Sequence, residues 1–197
     1  MSIDPQNPDP AVLGEAAALL ASGGLVAFPT ETFYGLGAAA LNREAVRRVF
    51  ALKRRPANNP LLVLVDGIPM AERIAEIPYH ARPLIARHWP GPLTLVFRAR
   101  PVVPDELGAS TGTVGVRWSP HPVPRALATT LGAPVTAPSA NLSGMAPPSS
   151  AAAVLRHFAD ALDMVLDGGE ATGGLASTVV DVTVDPPRVI RAGAIRV

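Results

Sequence analysis

Apolar residues in this chain come in short runs that proline or glycine cuts off, and stretches of helical spacing separate the runs. Residues 25–28 stop at Pro29, 61–65 follow Pro60 and 93–98 follow Pro92. Runs this short are strand length, not helix length. Further strands are expected at 113–118, 133–137, 163–167, 177–184 and 188–191. Helices are expected at 11–21, where Asp9 caps and Pro10 opens the first turn, and at 42–52, where Asn42 caps. Others fit 69–76, 79–88, 122–131 and 150–161, and 30–40 reads as a loop whose Gly35 and Gly37 permit tight turns. Helices between apolar runs argue an α/β sheet with some parallel pairing, and the closely spaced last strands argue antiparallel additions at one edge. With 197 residues and no long linker, one domain over 1–197 is expected.

Composition removes several chemistries. There is no cysteine, which excludes disulfides, thiolate metal sites and cysteine nucleophiles. The longest aliphatic run, 16–21, is six residues against the ~18–20 that span a bilayer. The first ten residues carry acids and prolines rather than a basic and apolar leader, so a cytoplasmic protein that does not enter the membrane is expected. His80, His88, His121 and His157 lack ligand spacing, so no resident metal site is expected, and no Gly-Lys pair of a phosphate loop occurs.

Net charge is +1, yet the charge is uneven: 43–55 holds six basic residues and one acid, whereas 160–185 holds six acids and no base. Sixteen of the 17 basic residues are arginine, and Lys53 is the only lysine. A compact ammonium fits between phosphate oxygens where a planar guanidinium does not, so the exception marks a candidate phosphate contact, with chance survival of a single lysine as the plain alternative. Lys53-Arg54-Arg55-Pro56 follows a helix and precedes Asn59-Pro60, which places three mutually repelling cations in one stiff loop. Phosphate would relieve that repulsion; a solvated charge run is the plainer alternative. Arg117 and Arg191 stand near strand ends and either pair with the acids of 160–185 or hold a substrate carboxylate or phosphate. Polar loops follow two strands, Thr30-Glu31-Thr32 and Pro138-Ser139-Ala140-Asn141. Ligands bind beyond strand carboxyl ends in such sheets, although each hydroxyl alone serves equally well to close a turn.

Taken in order, these stretches resemble the YrdC family, the threonylcarbamoyl-adenylate synthases. The matching pieces are Pro29-Thr30-Glu31-Thr32-Phe33-Tyr34-Gly35-Leu36-Gly37, Lys53-Arg54-Arg55-Pro56 with Asn59-Pro60-Leu61, and Trp89-Pro90-Gly91-Pro92-Leu93-Thr94-Leu95. Residues 113–117, Pro138-Ser139-Ala140-Asn141-Leu142-Ser143-Gly144, Asp167-Gly168-Gly169, Ser177-Thr178-Val179-Val180-Asp181 and Ile190-Arg191-Ala192-Gly193 continue the match. The resemblance implies an α/β fold, a twisted mixed sheet with helices around a concave basic cavity. It also implies that L-threonine, bicarbonate and ATP become threonylcarbamoyl-AMP and pyrophosphate, Mg²⁺ accompanying ATP. A partner transferase then passes the group to tRNA. By matching position, Lys53 and Arg55 would be catalytic, and these two with Asn59, Thr113, Ser139, Asn141 and Arg191 would hold ATP. Thr32 and Arg117 would hold threonine, with Thr30, Ser143 and Thr178 lining the cavity.

Three positions depart from the family pattern: Leu64 replaces a common His, Ala176 a common Glu and Pro147 a common Ser. Leu64 keeps open a different amino-acid substrate. The basic 43–55 segment keeps open a paralogue that only binds RNA or nucleotide. No additional carboxyl-terminal domain, as in longer members, is expected within these residues.

Overall fold

The computed structural model describes residues 1–197, the side chain of Asp160 excepted. Helix α1 (Pro10–Ala21) starts where Asp9 accepts a hydrogen bond from Ala11 N at 2.8 Å, and it buries Leu13, Ala16, Ala17 and Leu20. Strand β1 (Val26–Phe28) pairs antiparallel with β2 (Gly35–Gly37), inside the segment expected to be loop. Glycine is depleted in strands, which hides β2 from a propensity reading. Here the missing side chain is the requirement, because a Cβ at Gly37 would meet Phe28 Cε1 at 2.6 Å.

Asn42 caps α2 (Arg43–Lys53), accepting from the amides of Glu44 and Ala45. Strand β3 (Leu62–Val65) leads into α3 (Ile68–Ile74). The helix expected over 69–76 ends early, since Ala75 and Glu76 form β4 (Ala75–Glu76), antiparallel to β5 (Leu93–Ala99). Between them a 3₁₀ turn at Tyr79–Ala81 precedes α4 (Arg82–His88). Then come β6 (Thr113–Trp118), α5 (Pro122–Leu131), β7 (Val135–Thr136) and α6 (Ala151–Phe158). The chain finishes with β8 (Met164–Val165), β9 (Thr178–Asp181) and the edge strand β10 (Arg188–Arg191).

The larger sheet runs β10-β9-β5-β6-β3-β7, with β4 also on β5, and the smaller runs β2-β1-β8. β3 is parallel to β6 and β5 to β9, while β10 joins β9 antiparallel at the edge, so the sheet is mixed as expected. The two sheets meet where Leu36 N donates to Pro138 O at 2.8 Å and Thr136 N to Ala38 O at 2.9 Å. Among the described residues, no helix is long and apolar enough to cross a membrane.

Alternation along the strands sets where the core ends and an open face begins. Leu93, Leu95 and Phe97 of β5, Val114 and Val116 of β6 and Val180 of β9 are buried in the core. Their neighbours Thr94, Val96, Thr113, Gly115, Arg117, Val179 and Asp181 face the other side, where they line a cavity.

Candidate functional site

That cavity is about 610 Å³, the size of a small-molecule site. The sheet forms its floor; the 30–35 segment, residues 55–62 and residues 137–139 form its walls. Four arginines line it, Arg55, Arg117, Arg188 and Arg191, against one carboxylate, Asp181. Burial weighs against that carboxylate, yet bonds from the Thr183 hydroxyl and amide and from Arg188 leave its pKa below the usual range.

Arg117 is the most buried of the four, at 4% exposure, on the penultimate residue of β6. Its Nε has no hydrogen-bond partner among the described residues. The facing carboxylate, Glu31 Oε1, lies 3.6 Å from Arg117 Nη1 and likewise lacks a hydrogen bond. That spacing compensates charge but leaves guanidinium donors free. Glu31 is fixed from behind: its Oε2 accepts from Ser119 Oγ, which in turn accepts from His121 N at 3.1 Å. Burial lowers the pKa of His121, against an opposing pull from Glu31, and its Nδ1 caps α5 by accepting from Val123 N. Burial likewise lowers Arg117, with Glu31 opposing and Arg191 adding to the effect, though a guanidinium stays charged.

Arg191 donates from Nη2 to Ser177 O at 2.9 Å, and Ser177 Oγ bonds Thr94 Oγ1 at 2.9 Å. Arg55 holds its own loop, donating to Asn59 O, Asn59 Oδ1 and Pro60 O at 2.8–2.9 Å. Burial lowers the pKa of both arginines, and Arg191 lowers Arg55 further, so the two cations repel across the cavity.

Of the residues the sequence nominates, Thr30, Thr32, Arg55, Asn59, Thr113, Arg117, Ser139 and Arg191 converge on this lining. Thr30 and Thr32 bond one another at 3.1 Å, and Thr113 bonds Thr111 at 2.7 Å. Lys53, Asn141, Ser143 and Thr178 are not part of the lining. Lys53 belongs to α2 rather than to a loop, because the helix ends only at Arg54, which takes the left-handed region (φ 49°). Its side chain is 1% exposed and its Nζ donates to the backbone carbonyls of Ser139 and Asn141. Asn141 folds its own loop, donating to Leu142 O and Met145 O at 2.8 Å, and the buried Ser143 hydroxyl has no partner. Thr178 turns behind the sheet, its hydroxyl donating to Ile195 O at 2.6 Å. Ser177 and Thr94 are the hydroxyls that the sequence reading missed. The signal was the period of two, which puts each opposite its core neighbours.

Two expectations change in the structure. Arg43 and Arg47 pair with Glu106 at 3.4 and 2.7 Å and Arg48 with Asp163 at 3.0 Å, so the basic face of α2 is compensated internally. Within the 43–55 segment this leaves Arg54 exposed without an acid partner among the described residues. Leu64, expected beside the amino-acid pocket, is 1% exposed in β3 and outside the lining, although it lies in register with Arg117; Ala176 is part of the lining and Pro147 is not. Among the described residues no cluster of three or more His, Asp or Glu is placed to hold a metal.

The Sua5/YciO/YrdC family profile, described as "Telomere recombination", matches residues 18–193. The chain belongs to this family. It is 45% identical over 181 residues to threonylcarbamoyl-AMP synthase of Pyrococcus abyssi, covering 91% of this chain and 53% of the relative. It is 40% identical over 185 residues to threonylcarbamoyl-AMP synthase of Bacillus subtilis, covering 93% of this chain and 54% of the relative. The chain thus spans about half the length of these Sua5/YrdC relatives. The crystal structure of P. abyssi Sua5 complexed with L-threonine superposes with a TM-score of 0.93 at 42% identity, over 98% of this chain and 57% of that one.

Proposed function

We propose that this chain forms threonylcarbamoyl-AMP and pyrophosphate from L-threonine, bicarbonate and ATP, the activity that names its relatives. The observation that carries the reading is Arg117: a buried guanidinium with an unpartnered Nε, facing a cavity of substrate size. A carboxylate accepts guanidinium donors in pairs, so Arg117 takes the carboxylate of threonine. Thr30 and Thr32 stand in the same wall and orient the rest of the amino acid. Arg55, Asn59, Thr113, Ser139 and Arg191 hold the nucleotide, and Mg²⁺ enters with ATP as part of the substrate.

Threonine's amine attacks bicarbonate and water is lost, leaving a carbamate. A carbamate oxygen then attacks the α-phosphorus, and the bond to the bridging oxygen breaks to release pyrophosphate. The protein's task is to hold two anionic reactants together and to offset charge growing on the phosphoryl oxygens. Arg55 and Arg191 do so from opposite sides, already fixed by hydrogen bonds to the protein. Lys53 and Asn141 act on the nucleotide through the loop that carries Ser139. A partner transferase passes the product to tRNA adenosine, so this chain acts in the cytosol and meets tRNA through that partner.

The test is pyrophosphate release from ATP, bicarbonate and L-threonine. Arg55→Ala and Arg117→Ala are each expected to slow turnover by about 10²–10³, the usual loss for one fixed charge-stabilising donor. Release no faster than in Arg55→Ala rejects the reading, and a faster rate with L-serine than with L-threonine reassigns the amino acid.

A further inference from the structure

We infer that Lys53 is a positioning residue that straps the 138–143 loop from behind and thereby sets where Ser139 meets the bound nucleotide. This rests on the reading that the cavity takes ATP, and it assigns the only lysine of the chain a backbone partner in place of a phosphate.

Three contacts between Lys53 and the loop carry the inference. Its Nζ donates to the carbonyls of Ser139 and Asn141, two residues apart, and its own carbonyl accepts from Ser143 N at 2.9 Å. The opposite side of the loop is pinned to the 34–36 segment, where Ala140 N donates to Tyr34 O and Leu36 N to Pro138 O, both at 2.8 Å. Ser139 is held between these two attachments with its side chain in the cavity lining, while the Lys53 stem runs through the protein interior.

The choice of residue follows from shape. Two carbonyls on neighbouring turns of one loop present oxygens to a single point. A tetrahedral ammonium answers both, whereas a planar guanidinium spreads its donors too widely. Arginine serves at every other Lys/Arg position, so its exclusion here fits a site built for one compact donor. Arg55, two residues on, faces the cavity and supplies the charge that a phosphate needs. Burial, with Arg55 nearby, brings the Lys53 pKa down to about 7, against the pull of the two carbonyls, which favour the charged form.

Because the chain has one lysine, lysine-selective ¹⁵N labelling gives one side-chain resonance, and it reports on this contact alone. In the intact protein that Nζ signal is expected to keep its position and slow hydrogen exchange when inorganic pyrophosphate or ATP is added, while backbone amides of Arg55 and Ser139 shift. A large Nζ shift with contact to ³¹P overturns the inference and leaves the ATP reading standing. Absence of any amide shift at millimolar ATP rejects the ATP reading itself, and the inference with it.

Kinetics give a second, independent readout. Lys53→Met is expected to raise the KM for ATP about tenfold, the scale of one lost charge-assisted bond. If Lys53 works through Ser139, the two substitutions share one effect, so Ser139→Ala with Lys53→Met is expected to be no worse than the more damaging single change. Multiplying losses overturn the inference. Should Lys53→Met fail to fold, the labelled wild-type protein still decides.

Discussion

Arg117 and Glu31 form a pair that suits ligand binding better than stability. Both are largely withdrawn from water, both carry an atom without a hydrogen bond, and 3.6 Å separates them. Removing one member of such a pair leaves an uncompensated charge, while replacing both with uncharged groups is often neutral or stabilising. Glu31→Gln is therefore expected to lower stability by about 3 kcal/mol. The double variant Arg117→Met with Glu31→Gln is expected to melt no lower than wild type while losing calorimetric binding of L-threonine; a double variant less stable than Glu31→Gln contradicts this account. Lys53 makes a second prediction, on pH. Its native pKa of about 7 lies below the ~10.4 of an unfolded chain, so between these values the unfolded state binds more protons and stability rises with pH. Below pH 7 both states are protonated and the native state bears the full cost of a buried charge. Wild type is thus expected to gain on Lys53→Met from pH 7 to 10, by on the order of 4 kcal/mol, in parallel denaturant titrations. A flat difference contradicts the assignment.

Elements announced by local chemistry were legible in the sequence, and elements made by distant packing were not. Asp9 and Asn42 mark helix starts because capping is decided within three residues, and α1 and α2 begin there. Strand β2 was hidden because its identity depends on Phe28 of the neighbouring strand and Val135 of the other sheet, not on its own residues. The same divide separates the site residues. Arg117 stands on a strand whose alternation is readable, whereas Arg191 reaches the cavity after a register shift in β10 that brings Arg188, Ile190 and Arg191 all into the lining. Lys53 was misplaced because nothing local says that a helix continues to it before a left-handed turn at Arg54. Thr178 was preferred to Ser177 where period two argues the reverse. Gly37→Ala tests the hidden strand: its Cβ would sit 2.6 Å from Phe28 Cε1 and 3.0 Å from Val26 O. Overpacking of this kind costs about 1–3 kcal/mol. The expected loss is therefore larger than for Gly14→Ala, a helical position with nothing within 4 Å, where thermal melting is expected to show no loss.

At the scale of the whole molecule, a net charge of +1 conceals a division of labour among arginines. Arg43, Arg47 and Arg48 on α2 pair with Glu106, Glu44 and Asp163 on the outer surface. Those in the cavity repel one another, Arg191 acting on both Arg55 and Arg117, and only Glu31 and Asp181 offset them. The free protein therefore holds an electrostatic cost that a bound polyanion removes, and a ligand that binds only the native state stabilises it by mass action. At a hundred times its dissociation constant, ATP or pyrophosphate contributes about 2.7 kcal/mol. For a chain of this length that corresponds to a rise of roughly 5–10 °C in Tm. The rise is expected in wild type, diminished in Arg191→Ala and Arg55→Ala, and unchanged in Arg43→Ala, whose guanidinium lies on the outer face beside Glu106. Moderate salt should reduce it only partly, because buried pairs are screened less than exposed ones. Undiminished shifts in Arg191→Ala and Arg55→Ala with a reduced shift in Arg43→Ala would place the anion on the α2 surface and not over the sheet.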